Sequence, residues 1–347
     1  MQRIILIATL ILSVITADAQ YKWDVGIKIG GSNYLGDIGG QELTRRDFIW
    51  DMHLDDTRMN YAVFARRKMS KRWALAANVD YVSIWGFDAN STNPARRARN
   101  LNFRNKMIEV GGRAELTVFY DNDVGGKGYY DPDYRFFIFA GIAGFSHNPQ
   151  GQVFEGVDGD GNVLEADYKG SEWYDLRPFR TENQESEYEK IGLAIPAGVG
   201  MYFTFDKQWR FGWELNWRTT FTDYVDDISG QYGDIAEIAA RDGGDIGAAL
   251  AQQSNQNIID FINSDDAIAG RGGSLNDHQW SSSTTIDPET GEAIPVLTKR
   301  GDPTNSDSYL TMALTGSYVI RGSSSFYKAK YSWLKQRRGA KRSRAKF

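Results

Sequence analysis

The chain contains no cysteine, which excludes disulfides, thiolate metal sites, cysteine nucleophiles and the acylated cysteine of a lipoprotein. Histidine is scarce: His53, His147 and His278 are the only three, none at ligand or triad spacing from a partner. All three fall in segments read as solvated surface loops and are assigned no role. Triads assemble in space, so spacing alone does not exclude one, but nothing positive points to one. After the first residues no run of about 18 apolar residues occurs, the length that signals a spanning helix, and the mean hydropathy is −0.48.

What the chain does have is aromatic residues, 13% of the total, distributed through alternating segments. Only helices and closed barrels satisfy their backbone hydrogen bonds in lipid, and a barrel strand needs an apolar residue only at every second position. The combination reads as a membrane-embedded barrel; a soluble periplasmic β-protein is the alternative. The first residues combine Arg3, an apolar run from Ile4 to Leu12 and Ala17-Asp18-Ala19 before Gln20. That is the pattern of a cleaved signal peptide over residues 1–19, too short for a membrane anchor. The expected location is the cell outer membrane.

Eight segments of about ten residues or more carry the period-two pattern of strands. They run about Tyr21 to Gly36, Arg58 to Met69, Trp73 to Tyr81, Phe103 to Tyr120, Tyr134 to Ser146, Lys190 to Phe205, Trp209 to Arg218 and Tyr309 to Arg321. The seventh is the clearest: Trp209, Phe211, Trp213, Leu215 and Trp217 alternate with Arg210, Gly212, Glu214, Asn216 and Arg218. The fifth is apolar almost throughout, so its facing stays open. Pro196 counts against a regular sixth strand, because proline cannot donate to a ladder. Links after the second, fourth and sixth strands are shorter than the others, the asymmetry of outer-membrane barrels. The expected fold is all-β: a closed antiparallel transmembrane β-barrel of about eight strands with long extracellular loops, spanning 20–321, both termini in the periplasm.

The alternation turns Lys28, Arg66, Asp80, Glu109, Arg113, Glu115, Glu214 and Arg218 inward. A barrel of about eight strands has room only for side chains, and an isolated buried charge is costly. A mutually paired lumen without an open pore is therefore expected, a substrate site being the other reading of the same set.

Asp158-Gly159-Asp160-Gly161-Asn162 superficially suggests a calcium loop, but Val163 stands where the EF-hand pattern needs glycine. Asp160-Gly161 between Val153-Phe154 and Val163-Leu164 is better read as a hairpin turn, as is Glu289-Thr290-Gly291 between Thr284-Thr285 and Val296-Leu297. No metal or other cofactor is expected. The formal charge of −5 is unevenly placed. A loop over about 225–306 is acidic, with Asp226, Asp227, Asp234, Glu237, Asp242, Asp245, Asp260, Asp265 and Asp266. Its middle, Ile246 to Ile262, has amphipathic spacing through Ala249, Leu250, Ile258, Ile259 and Ile262. Loops of such length are functional or disordered; a solvated loop and a partner-docking insertion are the two readings.

The segment 322–347 is a basic periplasmic tail. It carries Lys328, Lys330, Lys335, Arg337, Arg338, Lys341, Arg342, Arg344 and Lys346, with Tyr331 and Trp333 among them and no acid from Phe326 onward. The compartment excludes nucleic acid, leaving an acidic protein face, lipid phosphates or the cell wall as counter-surfaces.

Two motifs carry a resemblance to a known family: Val25-Gly26-Ile27-Lys28-Ile29-Gly30-Gly31-Ser32-Asn33-Tyr34-Leu35-Gly36-Asp37, and Phe221-Thr222-Asp223-Tyr224-Val225-Asp226-Asp227-Ile228-Ser229-Gly230. Together they resemble the PorG-type barrels of Bacteroidota. The resemblance implies a non-enzymatic structural component of the type IX secretion and gliding machinery. It also implies association with periplasmic ring proteins, a lipoprotein and a partner subunit, with the tail residues facing the ring. The large acidic loop and the basic tail depart from the minimal pattern. A surface binding protein or adhesin using the acidic loop, and an outer-membrane lipid enzyme, are the alternatives.

Overall fold

A computed structural model describes residues 23–39, 56–91, 94–121, 133–157, 163–165, 172–206, 208–241, 243–254, 283–286, 293–296, 299–304 and 306–320. The expected signal peptide, His53, His278, the far half of the expected helix and all eleven tail residues, Lys328 to Lys346, lie outside these.

Eight long strands form the molecule: β1 (Trp23–Leu35), β2 (Arg58–Lys68), β3 (Trp73–Phe87), β4 (Asn102–Asp121), β5 (Asp133–Ser146), β6 (Ile191–Phe205), β7 (Trp209–Thr220) and β8 (Ser308–Ile320). Their spatial order is β3-β2-β1-β8-β7-β6-β5-β4, and β4 pairs back onto β3 to close the sheet. Each pairing is antiparallel. The eight strands coincide with the eight periodic segments, and closure leaves no long edge exposed.

Alternation sets the two faces. Ile27, Val63, Val79, Val110, Ile142 and Leu314 point outward, Leu314 at 71% and Ile142 at 76% exposed, while their neighbours in sequence fill the interior. A water-soluble protein rarely exposes an apolar surface this continuous; hydrocarbon matches it. At the end carrying the short links, Trp23, Trp73, Trp209 and Tyr318 mark an aromatic girdle, with Trp209 edge-on to Tyr318 at 5.1 Å between ring centres.

The structure settles the facing of β5: Phe137, Phe139, Ala143 and Phe145 are buried inward, and Ile138 and Ile142 face out. Pro196 does not interrupt β6, which stays paired with β7 through Pro196 opposite Arg218. The pairing with β5 skips Ile195 and Pro196 instead, so the missing N–H is absorbed on one side of the strand. A register shift in the β4–β5 pairing between Thr117 and Phe119 breaks strict alternation, and both Val118 and Phe119 are exposed.

The link 69–72 is a tight turn: Met69 N and Ser70 N both donate to Trp73 O, at 2.9 and 3.0 Å. In the β6–β7 turn Asp206 adopts a left-handed conformation, φ 47°, which short polar side chains tolerate. The loops at the other end are 36–57, 88–101, 147–190 and 221–307. Phe154–Val157 pairs with Val163–Glu165, and Ser283–Ile286 with Ala293–Val296, the two hairpins expected; their turn residues are not among those described.

The helices among the described residues are short: α1 (Pro94–Arg99), α2 (Ile235–Ala239) and α3 (Gly244–Ala251). The expected helix over Ile246 to Ile262 is therefore corrected. It begins at Gly244, behind a left-handed Gly243 with φ 72°, and ends at Ala251 with Gln252 extended. The stop has a local cause, since Gln253 is drawn into the third loop. Its Oε1 accepts from Phe154 N at 3.1 Å and its Nε2 donates to Gln152 O at 2.8 Å.

An apolar core lies inside the mouth of the barrel beneath the long loops. Tyr34, Val82, Ile84, Phe103, Met107, Phe145 and Tyr309 from the strands meet Val225, Ile228 and Leu250 from the fourth loop.

Candidate functional site

Two features of the interior define what this barrel can do. In the lumen, Lys28, Arg66, Arg113, Arg210 and Arg218 face Asp24, Asp80, Glu109, Glu115 and Glu214, five charges of each sign, all buried. Glu214 accepts from Arg113 at 2.6 Å, Lys28 at 2.9 Å and Arg66 at 3.3 Å. Arg66 also meets Glu115 at 2.6 Å and Asp24 at 3.2 Å, and Asp24 meets Arg210 at 2.7 Å. Nearer the loops, Arg218 bridges Glu109 at 2.7 Å and Asp80 at 3.2 Å. These two acids are opposed across β3 and β4 and would repel without it. Rings fill the space between charges: Arg113 lies 4.1 Å over Phe139, and Arg66 and Arg210 each lie 5.0 Å over Tyr202. A buried network with five charges of each sign, multiply cross-linked, holds itself together.

All eight inward charges expected from the sequence are buried, and five strands, β1 to β4 and β7, contribute the charges of the network. Asp24 and Arg210, outside that expected set, complete it.

The second feature is a cap over the mouth. Arg99, from the second loop, donates from Nε and Nη2 to the Asp88 carboxylate at 2.7 and 2.9 Å. The same guanidinium donates to Asp37 O at 2.6 Å in the first loop and to Arg300 O at 2.5 Å in the fourth. Arg300 in turn donates to Thr181 Oγ1 at 2.9 Å, Glu182 Oε1 at 3.3 Å and Asp227 O at 2.8 Å. Two arginines thus tie all four outer loops together. Loop backbones far apart in sequence supply the acceptors, so no spacing signal could have found this arrangement.

The cap encloses carboxyls of the acidic loop, and for Asp226 and Asp227 this corrects the solvated one of the two readings. Asp226, Asp227 and Asp307 are buried. Asp307 accepts from Val225 N at 2.9 Å and from the Tyr34 hydroxyl, and Asp226 accepts from Ile228 N at 2.9 Å. Burial raises the Asp226 and Asp307 carboxyls well above the ordinary carboxylate range, and neighbouring acids add to the effect. Burial pushes Asp223 up to about 7. Asp227 rises only to about 6, because Arg300, Thr181 and Tyr188 oppose the burial effect. Among the described residues no three of His, Asp or Glu converge in an arrangement able to hold a metal ion.

His147 is likewise not a solvated loop residue. It is 3% exposed and stacks on Tyr188, interplanar angle 9°, which stacks on Tyr224, interplanar angle 7°. Burial lowers its pKa to about 4, so the imidazole is neutral at physiological pH and acts as a flat packing surface joining the third and fourth loops.

An apolar outer belt, a sealed and charge-balanced lumen, short turns at one end and long loops at the other define the class: a closed eight-stranded outer-membrane-type β-barrel. Residues 2–160 match a family described as a domain of unknown function, DUF6089. No curated protein matches. The chain is similar to two solved structures of Ail, the attachment invasion locus protein of Yersinia pestis. The one in complex with the heparin analogue sucrose octasulfate has 7% identity, 86% of this chain and 97% of that chain covered, and a TM-score of 0.27. The other has the same identity and coverage and a TM-score of 0.26.

Proposed function

We propose that this barrel is a non-enzymatic structural component of a protein-secretion complex of the type IX class, holding periplasmic ring subunits to the outer membrane. The observation that carries the reading is the sealed interior. A lumen occupied by five buried cations and five buried anions leaves the protein to act through its two ends and its lipid-facing wall. Supporting it are the two PorG-like motifs, the basic turn with exposed Lys71 and Arg72 at the short-link end, and the basic 322–347 segment. Lys328, Lys330, Tyr331, Trp333, Lys335, Arg337, Arg338, Lys341, Arg342, Arg344 and Lys346 are the proposed contacts to a ring lipoprotein and its partner subunit. Photo-crosslinkers at Tyr331 and Trp333 in cells, followed by identification of the captured protein, test this. Capture of a periplasmic ring subunit supports the reading. Unchanged ring association after truncation behind Arg321 removes the tail from it.

The outer cap favours a second reading, a surface binding protein. Four loops locked by Arg99 and Arg300 form a pre-organised outer face, and pre-organisation lowers the entropic cost of binding. Deleting residues 255–282 while secretion proceeds normally would favour this reading over the first. Lipid turnover by the purified barrel would favour the enzyme alternative.

A further inference from the structure

Lys68 ends β2 at the short-link end and stands opposite the inward Ala74. Its neighbour Arg67 turns outward and lies 5.4 Å over Trp23 of the girdle, so alternation carries Lys68 into the lumen, beyond Arg66 on the same face. It is half-buried. Among the described residues it forms no hydrogen bond and no ion pair. Arg210 and Arg135 repel it and Asp24 attracts it, but both oxygens of Asp24 are already engaged. Oδ1 meets Arg210 Nη1 at 2.7 Å, and Oδ2 accepts from Arg66 Nη1 and from Ser317 Oγ, each at 3.2 Å. At this level β5 adds one charge of each sign, Asp133 and Arg135, in register with the inward Thr204 and Tyr202, and each has partners of its own. Asp206, exposed in the β6–β7 turn, is engaged as well. Lys68 therefore stands outside the five-against-five balance of the lumen. A second donor at this level is also unspent: the Nε of Arg210, a residue 5% exposed, is buried without an acceptor.

We propose that Lys68 and Arg210 form an anion site in the short-link, periplasmic mouth of the lumen, taking the phosphate group of a small soluble molecule. A buried N–H without an acceptor is costly, and an ammonium that faces arginines gains from any anion that comes among them. Phosphate suits the pair because it accepts from both donors at once and supplies the charge that Lys68 has no partner for. The fold sets the path of entry. Beyond the site Arg66 lies 5.1 Å over Phe137 and 5.0 Å over Tyr202, and the ion-pair network fills the lumen behind them. Lipid headgroups stand outside the wall, on the opposite face of β2, so the ligand that reaches Lys68 comes from the aqueous side.

The test titrates inorganic phosphate into the full-length protein purified from outer membranes, by isothermal titration calorimetry, with chloride at matched ionic strength as the blank. Lys68→Gln is compared with wild type and with Lys106→Gln, an exposed lysine at the opposite end. Heat-dependent gel migration reports that each barrel is folded. Loss of one charge-assisted hydrogen bond should weaken phosphate binding about tenfold or more in Lys68→Gln and leave Lys106→Gln unchanged. Absence of binding to wild type overturns the inference. So does equal affinity in Lys68→Gln, which binding at the basic 322–347 segment would give, or the same loss in Lys106→Gln. Should Lys68→Gln fail to fold, wild type alone carries the test. Phosphate at roughly ten times its Kd should slow acylation of Lys68 by an activated ester about tenfold, read by mass spectrometry; an unchanged rate overturns the site.

Discussion

The guanidinium of Arg99 donates to the backbone carbonyl of Arg300 at 2.5 Å, so the residue that reaches toward Asp88 also holds the residue that reaches toward Thr181 and Glu182. The outer face of the barrel is therefore a single linked unit.

Replacing Arg99 by alanine strands a buried Asp88 carboxylate, for which losses of about 3–5 kcal/mol are typical. Gly39 N and Leu101 N donate to that carboxylate at 3.0 and 3.1 Å and serve as reporters. Amide exchange at these two positions should accelerate by about a hundredfold or more in Arg99→Ala, while strand amides near Val63 and Leu314 keep their protection.

In the lumen, Glu214→Gln leaves five cations facing four anions. Breaking a buried network from one side typically costs about 3–5 kcal/mol, expected as a lower urea midpoint in micelles with unchanged slope. The double variant Lys28→Met/Glu214→Gln restores four against four and should recover part of the loss. If it is less stable than Glu214→Gln alone, Lys28 does not depend on Glu214.

The outward wall has its own test at Leu314, midway along β8 and 71% exposed. Leu314→Arg should destabilise the folded barrel in phospholipid vesicles by about 2–4 kcal/mol, the usual effect of arginine at the bilayer midplane. An effect near zero would place this face in water.

The cap should respond to pH in a defined direction. Asp227 rises from 3.8 to about 6 and Asp223 from 3.8 to about 7, so their stabilisation is complete below about 3.8 and is lost as pH rises through 6 and 7. His147 falls from 6.5 to about 4; its share is complete above 6.5 and is lost as pH falls through 4. Exchange protection of residues 222–230, corrected for intrinsic rate, should therefore decline between pH 5.5 and 8. Asp223→Asn should flatten that decline, because a neutral side chain replaces a carboxyl that must give up its proton in a buried site.

Much of the barrel was legible because each strand repeats one local rule. β7 shows it plainly, with an aromatic or leucine at every odd position from Trp209 to Trp217 and Arg210, Glu214 and Arg218 between. β5 hid its facing because its lumen side carries Phe137 and Phe139, which serve as platforms for Arg66 and Arg113; both faces are apolar for different reasons. His147 and Asp226 misled because a loop position was equated with solvent. His147 stacks on Tyr188 and Asp226 meets Tyr34 and Asp307, partners distant from them along the chain.

The sequence by itself determined the strand count, the inward charges and the apolar outer wall, since period-two alternation is a property of neighbouring residues and needs no partner to be read. Which acid meets which base, how four loops lock over the mouth and which carboxyls lose contact with water were decided only by closure of the sheet. Closure brings residues such as Arg99 and Arg300, distant along the chain, to within a hydrogen bond of each other, and the energy of a buried charge depends on the partner that arrives.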